Sequence, residues 1–93
     1  MEIEVSTNIL NDLMGVKNRI ILPQKSVMPV REFLDFLAGK YGENIPGRLL
    51  ENGDLRPEII FLLNGQNIDS LNGLETAIHD GDHLVVITAM VGG

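Results

Sequence analysis

Three sets of residues in this sequence have chemistry to offer: two histidines set among aspartates, a few lysine amines, and the carboxylate that ends Met90-Val91-Gly92-Gly93. His79 and His83 flank Asp80-Gly81-Asp82. Imidazole and carboxylate are metal ligands, but two histidines without a third ligand at useful spacing make a poor site, and no metal site is expected. Asp80 and Asp82 read better as turn formers than as an acid/base pair. Asn64-Gly65-Gln66 lacks the pattern and context of a phosphate loop. Cysteine is absent, which removes disulfides, thiolate metal sites and a cysteine nucleophile. Nothing singles out Lys17, Lys25 or Lys40 as an acceptor amine. The carboxylate after Gly92-Gly93 remains. A free carboxylate is a poor electrophile, so it must be activated before it accepts sulfur or an amine. The end of the chain is slim enough to enter a narrow site, and the competing expectation is a frayed terminus with small residues by chance. Gly92 and Gly93 lack a Cβ, so they suit a narrow channel and unusual φ/ψ. Met90 and Val91 can grip an apolar tunnel mouth. Extended, Ala89 to Gly93 reach at most about 16–18 Å.

The elements that must carry this end are legible from periodicity. Residues 2–9 alternate, with Ile3, Val5 and Thr7 on one face, which predicts a half-buried strand. Residues 10–17 read as a turn in which Gly15 supplies a positive φ, and 18–23 as a short strand stopped by Pro23. The clear helix is 29–41. Pro29 suits its first position, and Val30, Phe33, Leu34 and Leu37 form one apolar stripe. Gly39 or Gly42 is the expected stop. Pro46-Gly47 and Asn52-Gly53-Asp54 are breakers around a possible helical turn over Arg48–Glu51. Ile59–Leu63 is a strand-length apolar run, closed by an Asn64-Gly65 turn into a short strand near Asn67-Ile68. A connecting segment holds Leu71, Leu74 and Ile78. After the Asp80-Gly81-Asp82 turn, Leu84–Thr88 is the β-branched final strand. A lone amphipathic helix needs a sheet to cover, which predicts a two-layer α+β domain. Its first and last strands are expected as parallel central neighbours.

Composition bounds the rest. A length of 93 residues suits one domain, and 44% hydrophobic content can build a core without staples. Met1-Glu2-Ile3-Glu4-Val5 does not read as a signal peptide. No segment reaches the roughly 18–20 apolar residues of a membrane span, so no membrane role and a cytoplasmic, reducing location are expected. The formal net charge of −6 disfavours nucleic acid and favours encounter with a basic protein surface.

The motifs Leu63-Asn64-Gly65, Leu71-Asn72-Gly73-Leu74-Glu75-Thr76 and Asp80-Gly81-Asp82, followed by an apolar strand and Gly92-Gly93, carry a resemblance. In this order they resemble the ubiquitin-like β-grasp fold. More narrowly, they resemble the MoaD/ThiS family of sulfur carriers and the related small archaeal modifier proteins. The likeness covers nearly the whole chain in layout and about the last third in motif. It departs at Ser6-Thr7-Asn8, where family members often carry aromatic residues, and at Ile87-Thr88-Ala89-Met90, where many have a Phe-Pro-Pro-like stretch. The resemblance implies a mixed sheet of four to five strands packed on one main helix. It also implies a single domain, 1–93, with a flexible tail, 89–93.

The resemblance also implies a chemistry. An E1-like activating enzyme of the MoeB/ThiF type uses ATP to adenylate the Gly93 carboxylate. A sulfur donor or a lysine amine then displaces AMP, giving a thiocarboxylate or an isopeptide bond. No catalytic side chain and no bound cofactor are expected in the chain itself. The leading expectation is the small sulfur-carrying subunit of molybdopterin synthase, working with a MoaE-type large subunit in molybdenum or tungsten cofactor biosynthesis. The alternatives are a modifier attached through Gly93 to target lysines, and a non-covalent ubiquitin-fold adaptor.

Alternation also predicts a docking face. With Phe61, Leu63, Leu84 and Val86 inward, Ile60, Leu62, Val85 and Ile87 point outward, away from the helix. These positions resemble the ubiquitin-type binding patch. The competing expectation is that the loop 43–57 folds over this face as a second small core.

Overall fold

A computed structural model describes residues 1–9, 15–22, 27–41 and 45–88. In chain order the elements are β1 (Glu2–Thr7), β2 (Gly15–Ile21), β3 (Val27–Pro29), α1 (Val30–Tyr41), α2 (Ile45–Leu49), β4 (Leu50–Glu51), β5 (Asp54–Leu55), β6 (Ile59–Leu63) and β7 (Gln66–Asn67). Two 3-10 turns follow, Ile68–Ser70 and Gly73–Glu75, and then β8 (Ala77–His79) and β9 (His83–Thr88). The main sheet has the order β2-β1-β9-β6-β7. β1 and β9 run parallel at its centre, joined through Glu4↔His83, Val5↔Leu84, Ser6↔Val85 and Thr7↔Val86. The flanking pairings, β1 with β2 and β6 with β9 and β7, are antiparallel.

Period-two alternation builds the inner face of this sheet. Ile3 and Val5 of β1, Ile20 of β2, Phe61 and Leu63 of β6, and Leu84 and Val86 of β9 are all buried. The α1 stripe Val30, Phe33, Leu34 and Leu37 closes on them. Burying each such side chain contributes roughly 1.5–3 kcal/mol, which is why a helix of only 12 residues is held when it would be marginal alone. Ile45 and Leu49 of α2 join the same core. The segment after α1 therefore packs on the helix side of the sheet, and it is not a second core on the opposite face.

Several local expectations are corrected. Pro29 ends β3, paired with Ala77, and the helix starts at Val30. Thr76 shows why: its carbonyl accepts the Val30 N–H at 2.9 Å, so strand pairing reaches up to the helix's first residue. Gly15 is the first residue of β2, opposite Thr7, so the strand begins before 18; an edge strand is held by its neighbour's backbone and needs no apolar run. Gly39 lies inside α1, which continues to Tyr41. Pro46-Gly47 lies inside α2, near its start, where a missing N–H does no harm, and Arg48 and Leu49 end that helix while Leu50 and Glu51 form β4. The Asn52-Gly53 turn that joins β4 to β5 has φ of 55° and 86°. Ile68 leaves the short strand to open a 3-10 turn and is fully buried. Gly42 and most of the expected 10–17 turn (10–14) lie outside the described residues, as do Pro23 and Lys25. Among the described residues no helix is long and apolar enough to cross a membrane.

Candidate functional site

The last described strand, β9, precedes residues 89–93 in the sequence. It lies between β1 and β6, and its near end is stitched by the motif residues. Asn64 Oδ1 accepts the His83 N–H at 2.9 Å, while its Nδ2 donates to Asp82 Oδ1 at 3.0 Å. The second carboxylate oxygen of Asp82 accepts the His79 N–H at 2.8 Å. Asp80 Oδ1 accepts the Glu2 N–H at 2.6 Å. The Asn-Gly and Asp-Gly-Asp turns thus lock β6, β9 and β1 in mutual register. Gly65 and Gly81 sit at φ of 87° and 88°, a region open to glycine.

The Leu71–Thr76 motif supports the helix instead. Leu74 is buried in the core. Buried Thr76 accepts the Asn72 N–H on its Oγ1 at 3.0 Å, and the carbonyl of Thr76 receives the first amide of α1. Arg31 reaches back to Glu75 at 2.7 Å and to the carbonyl of Gly53 at 3.3 Å. Both ends of that ion pair are well exposed, so it contributes little beyond orientation.

At the far end the described part of β9 reaches Thr88, opposite Ile59 of β6. Asn8, just past β1, accepts the Thr88 N–H on its Oδ1 at 3.3 Å. Met90, Val91, Gly92 and Gly93 lie outside the described residues. The outward positions form a compact block on the face opposite α1. Ile60 faces Ile87 and Leu62 faces Val85 across the β6–β9 ladder. All four are half-buried, and none belongs to the core or to the side chains packed against it. Toward β1 the block meets Ser6 and Glu4, which stand opposite Val85 and His83.

Two features were not read from the sequence. Ser6 is buried and its Oγ lies 2.8 Å from His83 Nε2, so His83 is built into the β1–β9 seam. In the sequence Asn8 stands out only as part of a departure from the family pattern. His79 is exposed, with its Nδ1 4.0 Å from Asp82. Among the described residues no three His, Asp or Glu side chains group as a metal site.

A five-stranded mixed sheet crossed by one main helix, with the first and last strands parallel at its centre, is the ubiquitin-like β-grasp architecture. The chain belongs to the ThiS family, whose model matches residues 10–93. It is 33% identical over 82 residues to small archaeal modifier protein 3 of Haloferax volcanii, covering 81% of this chain and 88% of that one. Among solved structures, a chain of the Amycolatopsis orientalis BexX/CysO complex superposes with a TM-score of 0.77 at 26% identity, over 98% of this chain and 99% of that one. Small archaeal modifier protein 1 of Methanosarcina acetivorans superposes with a TM-score of 0.70 at 27% identity, over 99% and 96%. This is therefore a chain of the ThiS-like sulfur-carrier and ubiquitin-like modifier family.

Proposed function

We propose that the carboxylate of Gly93 is the working group, and that it carries sulfur. An E1-like enzyme of the MoeB/ThiF type adenylates it with ATP, releasing pyrophosphate. A sulfur donor displaces AMP to leave a thiocarboxylate, and the sulfur passes to a pterin precursor within a complex with a MoaE-type subunit. The observation that carries this reading is the placement of β9. The central strand, paired on both sides and locked by its turns, is described as far as Thr88, five residues before Gly93 in the sequence. The block Ile60, Leu62, Val85 and Ile87 on the same two central strands is the face that meets the partner, and the related BexX/CysO structure is itself a complex.

The chain's part in this chemistry is presentation. It carries the carboxylate on a slim glycine end, which enters the partner's site without steric conflict. Pyrophosphate exchange with a cognate activating enzyme tests the reading. Gly93→Ala, or one residue added after Gly93, is expected to impair exchange; unchanged exchange in both variants contradicts the proposal. A second reading, attachment through Gly93 to target lysines, is favoured by the 33% identity to a small archaeal modifier protein. It shares the adenylation step and separates from the first by the appearance of higher-mass conjugates.

A further inference from the structure

We propose that Asn52 is a site of spontaneous covalent modification, losing its side-chain amide to water, and that the same dipeptide at Asn64-Gly65 is shielded from this reaction by its hydrogen bonds. The chain contains three Asn-Gly pairs, starting at Asn52, Asn64 and Asn72. Glycine has no Cβ, so its main-chain nitrogen is open to the side chain of a preceding asparagine. Two of the pairs make the same turn. Asn52-Gly53 joins Glu51 to its partner Asp54, and Asn64-Gly65 joins Leu63 to its partner Gln66. The φ angles are 55° and 86° in the first turn and 51° and 87° in the second, the two-residue hairpin geometry that asparagine and glycine favour. Dipeptide and backbone are matched, so the two sites differ only in their surroundings.

The reaction needs a turn that opens. The Gly53 nitrogen gives its proton to solvent base and attacks Cγ of Asn52. A new C–N bond forms, the Cγ–Nδ2 bond breaks, and the departing nitrogen takes a proton from water and leaves as ammonia. Water then opens the cyclic imide at one of its two carbonyls, giving aspartate or isoaspartate; nothing is oxidised or reduced. At Asn64 both ends of the side-chain amide are held: Oδ1 accepts the His83 N–H at 2.9 Å and Nδ2 donates to Asp82 Oδ1 at 3.0 Å. Behind it β6 is paired into the main sheet. The Asn52 side chain has no hydrogen-bond partner among the described residues. β4 and β5 form a separate sheet of two strands, two residues each, and Glu51, Asn52, Gly53 and Asp54 are all exposed. A lone two-stranded hairpin is marginal in water, so its tip opens without disturbing the core. Arg31 reaches the tip at 3.3 Å, but through the Gly53 carbonyl and not the reacting atoms. The third pair is anchored differently. The Asn72 N–H donates to Thr76 Oγ1 at 3.0 Å, its carbonyl accepts the Glu75 N–H at 3.1 Å, and Leu74 beside it is buried. That turn opens only with the core. Conversion of Asn52 adds a negative charge between Glu51 and Asp54.

The test is to incubate the folded chain at mildly alkaline pH, digest it, and follow each asparagine by fragmentation mass spectrometry. The Asn52 peptide should gain the mass of an NH2 replaced by OH, with Asn64 and Asn72 converting roughly ten- to a hundredfold more slowly. In concentrated urea, where only the dipeptide remains, Asn52 and Asn64 should convert within about threefold of each other. Asp82→Ala frees the Asn64 Nδ2 and should speed Asn64 by about threefold or more, with Asn52 and Asn72 unchanged. Equal rates at Asn52 and Asn64 in the folded chain, or Asn72 converting fastest, overturn the proposal. A difference that persists in urea overturns its structural cause. An Asn64 rate that ignores Asp82→Ala overturns the shielding, and so does a parallel rise at Asn72, which would signal global unfolding in place of a released side chain.

Discussion

Leu62→Asp is the sharpest probe of the open sheet face. Leu62 stands opposite Val85 and beside the Ile60↔Ile87 pair, half-buried by its neighbours but outside the core. Full burial of a leucine side chain is worth roughly 1.5–3 kcal/mol. Since roughly two-thirds or more of that burial already comes from the sheet, a partner adds at most about 1 kcal/mol by covering the rest. The substitution forfeits this and also forces an unpaired carboxylate out of water, a further ~1–3 kcal/mol. The sum, about 2–4 kcal/mol, predicts affinity for the activating enzyme falling roughly 30- to 700-fold. The fold should lose only about 1 kcal/mol, the span of strand preferences, because Leu62 lies outside the core. Calorimetric titration against the enzyme, with thermal melting alongside, reads both quantities. Asp35→Asn, on the exposed side of α1, is the matched control and should bind normally. Unchanged affinity for Leu62→Asp would refute the docking face. Global unfolding would show that the residue belongs to the core after all.

Three further outcomes follow from the packing. Phe61→Ala removes a ring that is 1% exposed and should lower stability by about 3–5 kcal/mol in urea titration, enough to unfold much of a small domain. Asp82→Ala deletes two hydrogen bonds, to the His79 N–H and to Asn64 Nδ2, and should cost about 1–3 kcal/mol; Asp82→Asn, which retains an acceptor, should recover part of it. Gly65→Ala meets no atom within 4 Å of the added Cβ, yet Gly65 sits at φ +87°. It should still lose about 1 kcal/mol from backbone strain alone, and a neutral melting curve would contradict the turn geometry.

What could be read from sequence was whatever repeats along the chain. Ile3/Val5, Phe61/Leu63 and Leu84/Val86 alternate cleanly, and the stripe Val30, Phe33, Leu34 and Leu37 holds helical spacing, so the sheet, the helix and the outward block were legible. Elements held by remote partners were not. Val27-Met28-Pro29 is too short to show a period, and it is a strand only because Ala77-Ile78-His79 lies beside it. Ile45 and Leu49 shape α2 by reaching the core, which outweighs the Pro46-Gly47 signal. The Asn64 and Asp80–Asp82 turns were recognised as turns, but their side chains cross between strands, and that is visible only in three dimensions. The same holds for Asn8, whose bond to Thr88 depends on β1 and β9 being neighbours.

The most direct test of the carrier assignment is the intact mass of the chain after incubation with its activating enzyme, ATP and a sulfur donor. A gain equal to one oxygen replaced by sulfur, located on the C-terminal peptide that ends at Gly93, is the predicted result. An unchanged mass, under conditions in which the enzyme activates a bona fide carrier, would contradict it.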